Sequence, residues 1–403
     1  MGVFPGWFIV AGAFAVMFLA YGAQYSFGVF FSAMLAEFGW SRGSLSGAFS
    51  FYALTYCLLG FVAGRLTDVW GPRVIIAVGG VFLGVAYAAM ALASEIWHPY
   101  VLYGFVASIG MATAFVPCNS TIVRWFVRRR GLAVGVATSG QSAGMLLAAP
   151  LAQVLVSTVG WRATYVAFGI VLFVALNVVA PIMRRDPEAL GLSPDGDPRP
   201  LTATMEIARG LTLAEAGRTG AFWALMATFS ATWIPVFVAI VHAVPLARDL
   251  GHSPLVAASL LSVLGAGAIP GRILMGAASD RIGRKFTLGA MLLIQAAGFG
   301  AFTIAKSLPA LYGAAITFGF SYGAITALFP SIIGDYFGRE RVGSLVGVFF
   351  AIAGAAGAIG PVAAGAIYDA TGSYAVAFML SAAFNLIALV ALTLARPPAA
   401  ASP

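Results

Sequence analysis

Residues 64–73 read GRLTDVWGPR, and residues 276–285 read GAASDRIGRK, 212 positions further along the chain. Each stretch has a glycine, an aspartate four residues later, then a second glycine and a basic end. Apolar runs flank both stretches, and each run is about long enough to cross the ~30 Å hydrocarbon core of a bilayer. The pair therefore predicts a membrane protein with an internal repeat.

The repeat continues beyond these two stretches. At offsets of 211 or 212 residues, further matches pair Trp125-Phe126 with Tyr336-Phe337, Arg130 with Arg341, Gly135 with Gly347, Pro150 with Pro361 and Gly160 with Gly372. Between the copies, residues 184–218 break the apolar pattern with Pro, Gly, Asp and Arg, which is typical of a linker. We therefore predict an N-terminal half at 1–183, a cytoplasmic linker at 184–218 and a C-terminal half at 219–403.

The composition requires the bilayer as solvent. Hydrophobic residues make up 61% of the 403 positions and charged residues 9%, which is more apolar material than one water-soluble core can bury. Long unbroken runs predict helices, because a spanning barrel has short alternating segments instead. Twelve helices are expected at 6–34, 44–66, 73–94, 98–126, 130–158, 162–183, 219–248, 254–278, 286–306, 309–334, 341–367 and 374–396.

The basic excess fits a membrane topology. The net charge is +8, and only Arg42, Arg162, Arg248 and Lys306 fall on the side of the twelve-span arrangement opposite to the termini. By the positive-inside rule both termini then face the cytoplasm. We predict a multi-pass protein of the cell (inner) membrane that contacts lipid, has no nucleic-acid partner and acts as a monomer.

Enzymatic chemistry is not expected. A phosphate-binding GxxxxGK[ST] loop is absent, and the three histidines have no ligand spacing to one another or to the two cysteines. The sequence therefore predicts no catalytic residues, no cofactor and no metal.

With six apolar runs in each half and the GxxxDxxGxR-type loop twice, the chain resembles the major facilitator superfamily. The resemblance implies a fold of two six-helix halves and a latch between them, with a gating role for Asp68, Arg73, Asp280, Arg281, Arg284 and Lys285. The alternative is that these charges only set topology. The first copy departs from the pattern, because Val69 and Pro72 stand where basic residues are usual.

Arg272 is the one charged residue expected well inside the hydrocarbon, about 12 Å along its helix from Asp280. No acidic residue is expected at that depth, and an isolated buried cation is costly. Because guanidinium matches a carboxylate bidentately, Arg272 predicts an anion site. The alternative is pairing with backbone carbonyls at a kink near Pro270.

Three stretches resemble the monocarboxylate transporters and the related oxalate/formate group, in a bacterial-type form: 22–26 (GAQYS), 124–133 (RWFVRRRGLA) and 327–338 (ALFPSIIGDYFG). In that family the helix-eight arginine binds the substrate carboxylate, and Arg272 takes its place. The resemblance also implies that His242 and Asn119 line the cavity. An acid and a lysine that animal members have are replaced here by Ala268 and Tyr25, and helix eleven has no base.

Other intramembrane polar residues are candidates for substrate contact or for interhelical hydrogen bonds: Tyr25, Gln24, Gln141 and Tyr322. His242 is either the proton carrier or a hydrogen-bonding residue of the cavity, because imidazole titrates near neutral pH. One cation suggests a monoanion. The expected function is proton-coupled symport of a small monocarboxylate, such as L-lactate or pyruvate, by alternating access. An organic anion exchanger of the oxalate/formate type is the alternative, and a lipophilic drug or acid exporter a further rival.

Overall fold

The structure, a computed structural model, describes residues 4–40, 42–196 and 210–398. Within these residues the chain is helical and has no strand, so the predicted all-α fold is confirmed. The α-helices are Gly6–Tyr25, Phe27–Phe38, Arg42–Trp70, Pro72–Met90, Trp97–Pro99, Ser108–Trp125, Arg130–Val179, Leu213–Gly217, Gly220–Asp249, Pro254–Pro270, Gly276–Ile282, Arg284–Ile304, Leu308–Phe337, Val342–Gly357, Ile359–Thr371 and Ala375–Leu394. Wider π-helical turns occupy Tyr100–Ala107 and Gly271–Met275.

Eleven stretches of the described residues are long and apolar enough to cross a membrane. The longest, Arg130–Ile182, has 53 residues and would extend about 80 Å as one helix. It breaks at Gly160, whose φ of 83° is not helical. Each part is long enough to span the bilayer by itself. The stretch therefore supplies two spans, and the total agrees with the predicted twelve.

The repeat is visible in the backbone as well as in the sequence. Glycines with positive φ recur 212 residues apart at the ends of equivalent helices, as the pairs Gly39 and Gly251, Gly71 and Gly283, and Gly160 and Gly372. At Gly71 and Gly283 the φ values of 81° and 93° turn the chain from one helix directly into the next. A β-carbon is unfavourable in that conformation, which explains why glycine occupies both positions.

The chain packs as two compact units. The first takes its residues from Met1–Val127, Gly140–Thr204 and Val342–Ala351, and the second from Arg128–Ser139, Met205–Arg341 and Ile352–Pro403. Each unit therefore includes a short segment from the distant part of the sequence. Both of these segments begin helices, and both become important at the candidate gating residues.

The first unit has an aromatic core. The rings of Tyr52 and Tyr103 stack at 4.5 Å, and those of Phe30 and Tyr165 at 3.8 Å. Aromatic pairs of this kind add to the stabilisation from burial alone. The aromatic core fixes the packing of four helices of this unit.

The second unit has an apolar core that includes Leu264, Phe299, Phe318 and Phe378. Beside it, the Thr232 hydroxyl lies 2.8 Å from side-chain oxygens of both Gln295 and Asn385, with all three residues fully buried. Polar pairs between helices are a usual source of cohesion in membranes, where lipid supplies little hydrophobic drive. This polar cluster ties three helices of the unit together.

Candidate functional site

Arg272 lies in the π-helical turn Gly271–Met275, directly after Pro270. It is 1% exposed, and its Nη1 donates a hydrogen bond of 2.6 Å to the backbone carbonyl of Thr138. Its guanidinium carbon lies 5.7 Å from the ring centre of Tyr322. A carbonyl acceptor is thus present, as the alternative for Arg272 required, but it comes from a residue 134 positions away rather than from the turn at Pro270.

The π turn has a local cause. Pro270 has no N–H, so the regular hydrogen-bond ladder is already interrupted where the turn begins. Gly271 also lies against the backbone of Phe320, where a β-carbon would clash with the carbonyl. A π turn in a helix is frequently found at functional sites. Here it sets the position of the Arg272 side chain beside Tyr322.

His242 belongs to the same unit but contacts different residues. Its Nε2 lies 3.0 Å from the carbonyl oxygen of Pro361, and its ring lies 5.0 Å from that of Tyr374. A carbonyl only accepts, so we infer that Nε2 carries the hydrogen. Nδ1 is then the acceptor nitrogen of the neutral ring, and it is buried with no donor among the described residues.

The remaining polar candidates lie in the first unit. Asn119 is fully buried and donates to the carbonyl of Phe115 at 2.9 Å, while its Oδ1 has no donor among the described residues. Gln24 and Gln141 are buried, and Tyr25 is half-buried with its ring 6.1 Å from that of Tyr21. The buried Oε1 of Gln24 likewise has no donor in the part of the chain that is described. Asn119 and Gln24 therefore each keep an acceptor oxygen available.

Asp68 accepts hydrogen bonds from the first turn of the helix Val342–Gly357. The donors are the backbone N–H of Gly343 at 3.1 Å and both the N–H and the hydroxyl of Ser344 at 2.7 Å. The first N–H groups of a helix have no partner within the helix, and the helix dipole favours an anion there. Arg124 adds a 2.6 Å ion pair with the same carboxylate.

Asp280 occupies the corresponding position in the second unit. It accepts from the backbone N–H groups of Gly131 and Leu132 at 2.8 and 2.9 Å, in the first turn of the helix that begins at Arg130. Arg284 pairs with it at 2.7 Å. A β-carbon on Gly131 would lie 3.0 Å from Asp280 Oδ1, so glycine allows the close approach.

Each carboxylate belongs to a small ionic network. Arg124 also pairs with Asp186 at 3.0 Å in the first unit. In the second unit Asp335 pairs with Arg284 at 2.6 Å and with Arg130. These networks surround the two helix ends that the aspartates bind.

The other predicted gating residues make different contacts. Lys285 donates to the carbonyls of Thr393 and Ala395 at 3.0 and 2.6 Å. Arg73 and Arg281 are exposed, and no ion pair involves either of them among the described residues. The structure thus brings Asp68, Asp280 and Arg284 into ionic networks but not these three cations.

The sequence had offered no role for Arg124, Arg130 and Asp335 in these networks, although all three belong to the stretches that carry the family resemblance. The signal was present in the repeat itself. At the offset of 211 residues Arg124 falls on Asp335, so equivalent positions carry opposite charges. A charge reversal next to a conserved loop pattern is a reasonable place to look for ion pairs.

The sequence model of the Major Facilitator Superfamily matches residues 13–245 and 236–403. The chain belongs to this superfamily. It is accordingly a multi-pass membrane transporter and not an enzyme, as its many apolar helices and paired loop motifs had indicated.

Among curated proteins, this facilitator is similar to monocarboxylate transporters. It is 29% identical to monocarboxylate transporter 13 of Rattus norvegicus over 396 residues, which cover 94% of this chain and 86% of the relative. It is 28% identical to monocarboxylate transporter 11 of Homo sapiens over 396 residues, covering 94% and 81% respectively. The similarity extends over nearly the whole facilitator.

Solved structures show the same fold at lower identity. The human organic anion transporter MFSD10 superposes with a TM-score of 0.72 at 16% identity and covers 97% of this chain and 100% of its own. The transporter FucP gives the same TM-score and identity, with coverage of 96% and 98%. These likenesses establish the architecture of the facilitator.

Proposed function

We propose that this facilitator carries small monocarboxylates, such as L-lactate or pyruvate, together with a proton across the cell (inner) membrane by alternating access. The burial of the Arg272 guanidinium is the observation that carries the proposal. Similarity to monocarboxylate transporters over 94% of the chain supports the substrate class.

The substrate carboxylate would bind Arg272. A guanidinium presents several N–H donors in one plane, and one of them already bonds to Thr138. A monoanion offsets the charge of the arginine, which lowers the free energy of a closed, dry site. Tyr322 lies against the same guanidinium and would limit the substrate to a short organic chain.

His242 is the proposed proton carrier, with direct contact to a substrate hydroxyl or keto group as its alternative role. Its inferred acceptor, Nδ1, is buried and can take either a proton or a hydrogen bond. Asn119, Gln24, Tyr25 and Gln141 are the other proposed substrate-facing residues.

The aspartates at the two helix ends are the proposed latch of the transport cycle. Asp68 and Asp280 each bind backbone N–H groups from a segment that lies far away in the sequence. Breaking such charge-assisted bonds exposes an acid and a helix end together, so we expect them to open and close as a unit. We place these loops and both termini on the cytoplasmic side, as the distribution of Lys and Arg suggests.

The test is uptake of labelled L-lactate into proteoliposomes that contain the purified chain. We expect an inward proton gradient to increase uptake and an uncoupler to abolish that increase. Arg272→Ala should lower the uptake rate about 100-fold, because it removes the charged partner of a buried carboxylate. Arg272→Lys is the matched control, since it keeps the charge and loses only the planar fork. Uptake by Arg272→Ala at the parent rate would exclude this site.

An organic anion exchanger of the oxalate/formate type is the second candidate. It is favoured by Ala268, which is fully buried one turn before Arg272 and offers no carboxylate for a proton relay. In the same vesicles an exchanger needs internal anion and ignores the pH gradient. If uptake by the parent is coupled to protons, His242→Gln decides the carrier: loss of coupling with binding retained supports His242.

A further inference from the structure

A groove of about 610 Å³ lies between the helices Arg284–Ile304 and Ala375–Leu394 of the second unit. Apart from Lys285 and Thr393, its lining is apolar and includes Phe286, Leu293 and Leu389. Phe286 is 70% exposed and Leu293 50% exposed, so these side chains are not covered by the described part of the protein. In a chain that crosses the bilayer, such side chains face lipid.

Lys285 lies at one end of this groove and is held there by the end of the neighbouring helix. Its ammonium donates to the carbonyls of Thr393 and Ala395. These carbonyls belong to the end of a helix, where backbone acceptors lack partners within the helix. The contacts fix the position of the ammonium, but both acceptors are neutral, so they leave its charge uncompensated.

The surroundings of Lys285 add positive charge. Arg281 precedes it by four residues, and Arg396 follows Ala395, one of the carbonyl acceptors of Lys285. Both arginines are exposed, and among the residues that the structure describes no carboxylate pairs with any of the three cations. The ammonium has three N–H donors and uses two, so one remains for another acceptor.

We propose that this groove binds an anionic phospholipid, with the phosphate at Lys285 and an acyl chain along the apolar lining. From Lys285 to Leu293 the helix rises about 12 Å, which leads from the headgroup level into the hydrocarbon. Basic clusters at the ends of membrane helices attract anionic lipids by about 1 kcal/mol per residue. The fixed ammonium and the apolar groove together distinguish this place from a basic loop in general.

The experiment titrates the purified full chain in detergent with phosphatidylglycerol or phosphatidylethanolamine of identical acyl chains, and native mass spectrometry counts the bound lipids. We expect one phosphatidylglycerol to be retained in preference to phosphatidylethanolamine. Lys285→Gln should weaken its retention about fivefold, since it removes one charge and keeps an amide donor for the carbonyls. Lys285→Arg should retain it.

Two further variants separate headgroup from groove. Ala290→Phe fills the groove without changing the charge, and we expect it to displace the phosphatidylglycerol. Arg248→Gln removes an exposed cation elsewhere and should leave retention unchanged. Equal retention of both lipids by the parent, or an equal loss in Arg248→Gln and Lys285→Gln, would overturn the proposal. Thermal unfolding of each variant confirms that it is folded.

Discussion

The carboxylates of Asp68 and Asp280 bind helix ends in the same way but rely on different arginines. Each accepts from the second and third N–H groups of a helix, and those donors are also related by 212 residues. Asp280 pairs with Arg284, which begins the next helix. The equivalent of Arg284 in the first copy is Pro72, which has no charge to offer.

Arg124 compensates for this proline. It reaches Asp68 from the end of another helix, at the position where the second copy has Asp335. The first unit thus has one arginine between two acids, and the second has one acid between two arginines. The comparison teaches that the repeat preserves hydrogen bonds from the backbone and exchanges the ionic partners.

The largest expected effect concerns the loss of one arginine from each unit. Arg124→Gln removes the cation that bridges Asp68 and Asp186, so we expect a loss of about 3 kcal/mol in the free energy of unfolding. Arg284→Gln should cost less, about 1 to 2 kcal/mol, because Asp335 keeps its pair with Arg130. Denaturant unfolding in detergent measures both, and a larger loss for Arg284→Gln would contradict the comparison.

A smaller effect is expected when the second copy's arginine is placed in the first copy. Pro72→Arg puts a cation at the first position of the helix Pro72–Met90, as Arg284 is in its own helix. Combined with Arg124→Gln, it should recover about 1 kcal/mol. A double-mutant cycle gives the coupling, and strict additivity would mean that the new arginine does not reach Asp68.

The smallest effect is expected at Arg73. Its side chain is exposed, and no ion pair with it occurs among the described residues. Arg73→Gln should therefore change the free energy of unfolding by no more than about 0.5 kcal/mol. A loss as large as that of Arg284→Gln would show that Arg73 takes part in the network after all.

Much of the fold could be predicted because its signal is local. Apolar runs identified the spans, and glycine at 160 separated two helices that are otherwise continuous. Asp68 and Asp280 stood out because a carboxylate at the end of an apolar run needs a partner. Their partners could not be predicted, since backbone N–H groups exist at nearly every position and carry no side-chain signature.

The candidate site was predictable only in part, for the same reason. Arg272 was evident as a charge within an apolar helix. Its contacts with Thr138 and Tyr322 join residues that are 134 and 50 positions away, and the π turn that positions it leaves no distinctive pattern in the sequence. The destination of Lys285, a pair of carbonyls rather than an acid, was equally hidden.

The exchanged segments impose an order on biosynthesis. When Asp280 leaves the ribosome, Gly131 and Leu132 have already been made, so its donors are waiting. Asp68 must wait for Ser344, which is 276 residues away and, at usual elongation rates, roughly 15 to 55 s behind. During that interval Arg124 and Asp186 are the partners available to stabilise the nascent first unit. The ion pair that replaces the missing Arg284 equivalent thus also serves as an early clasp, formed before the chain is complete.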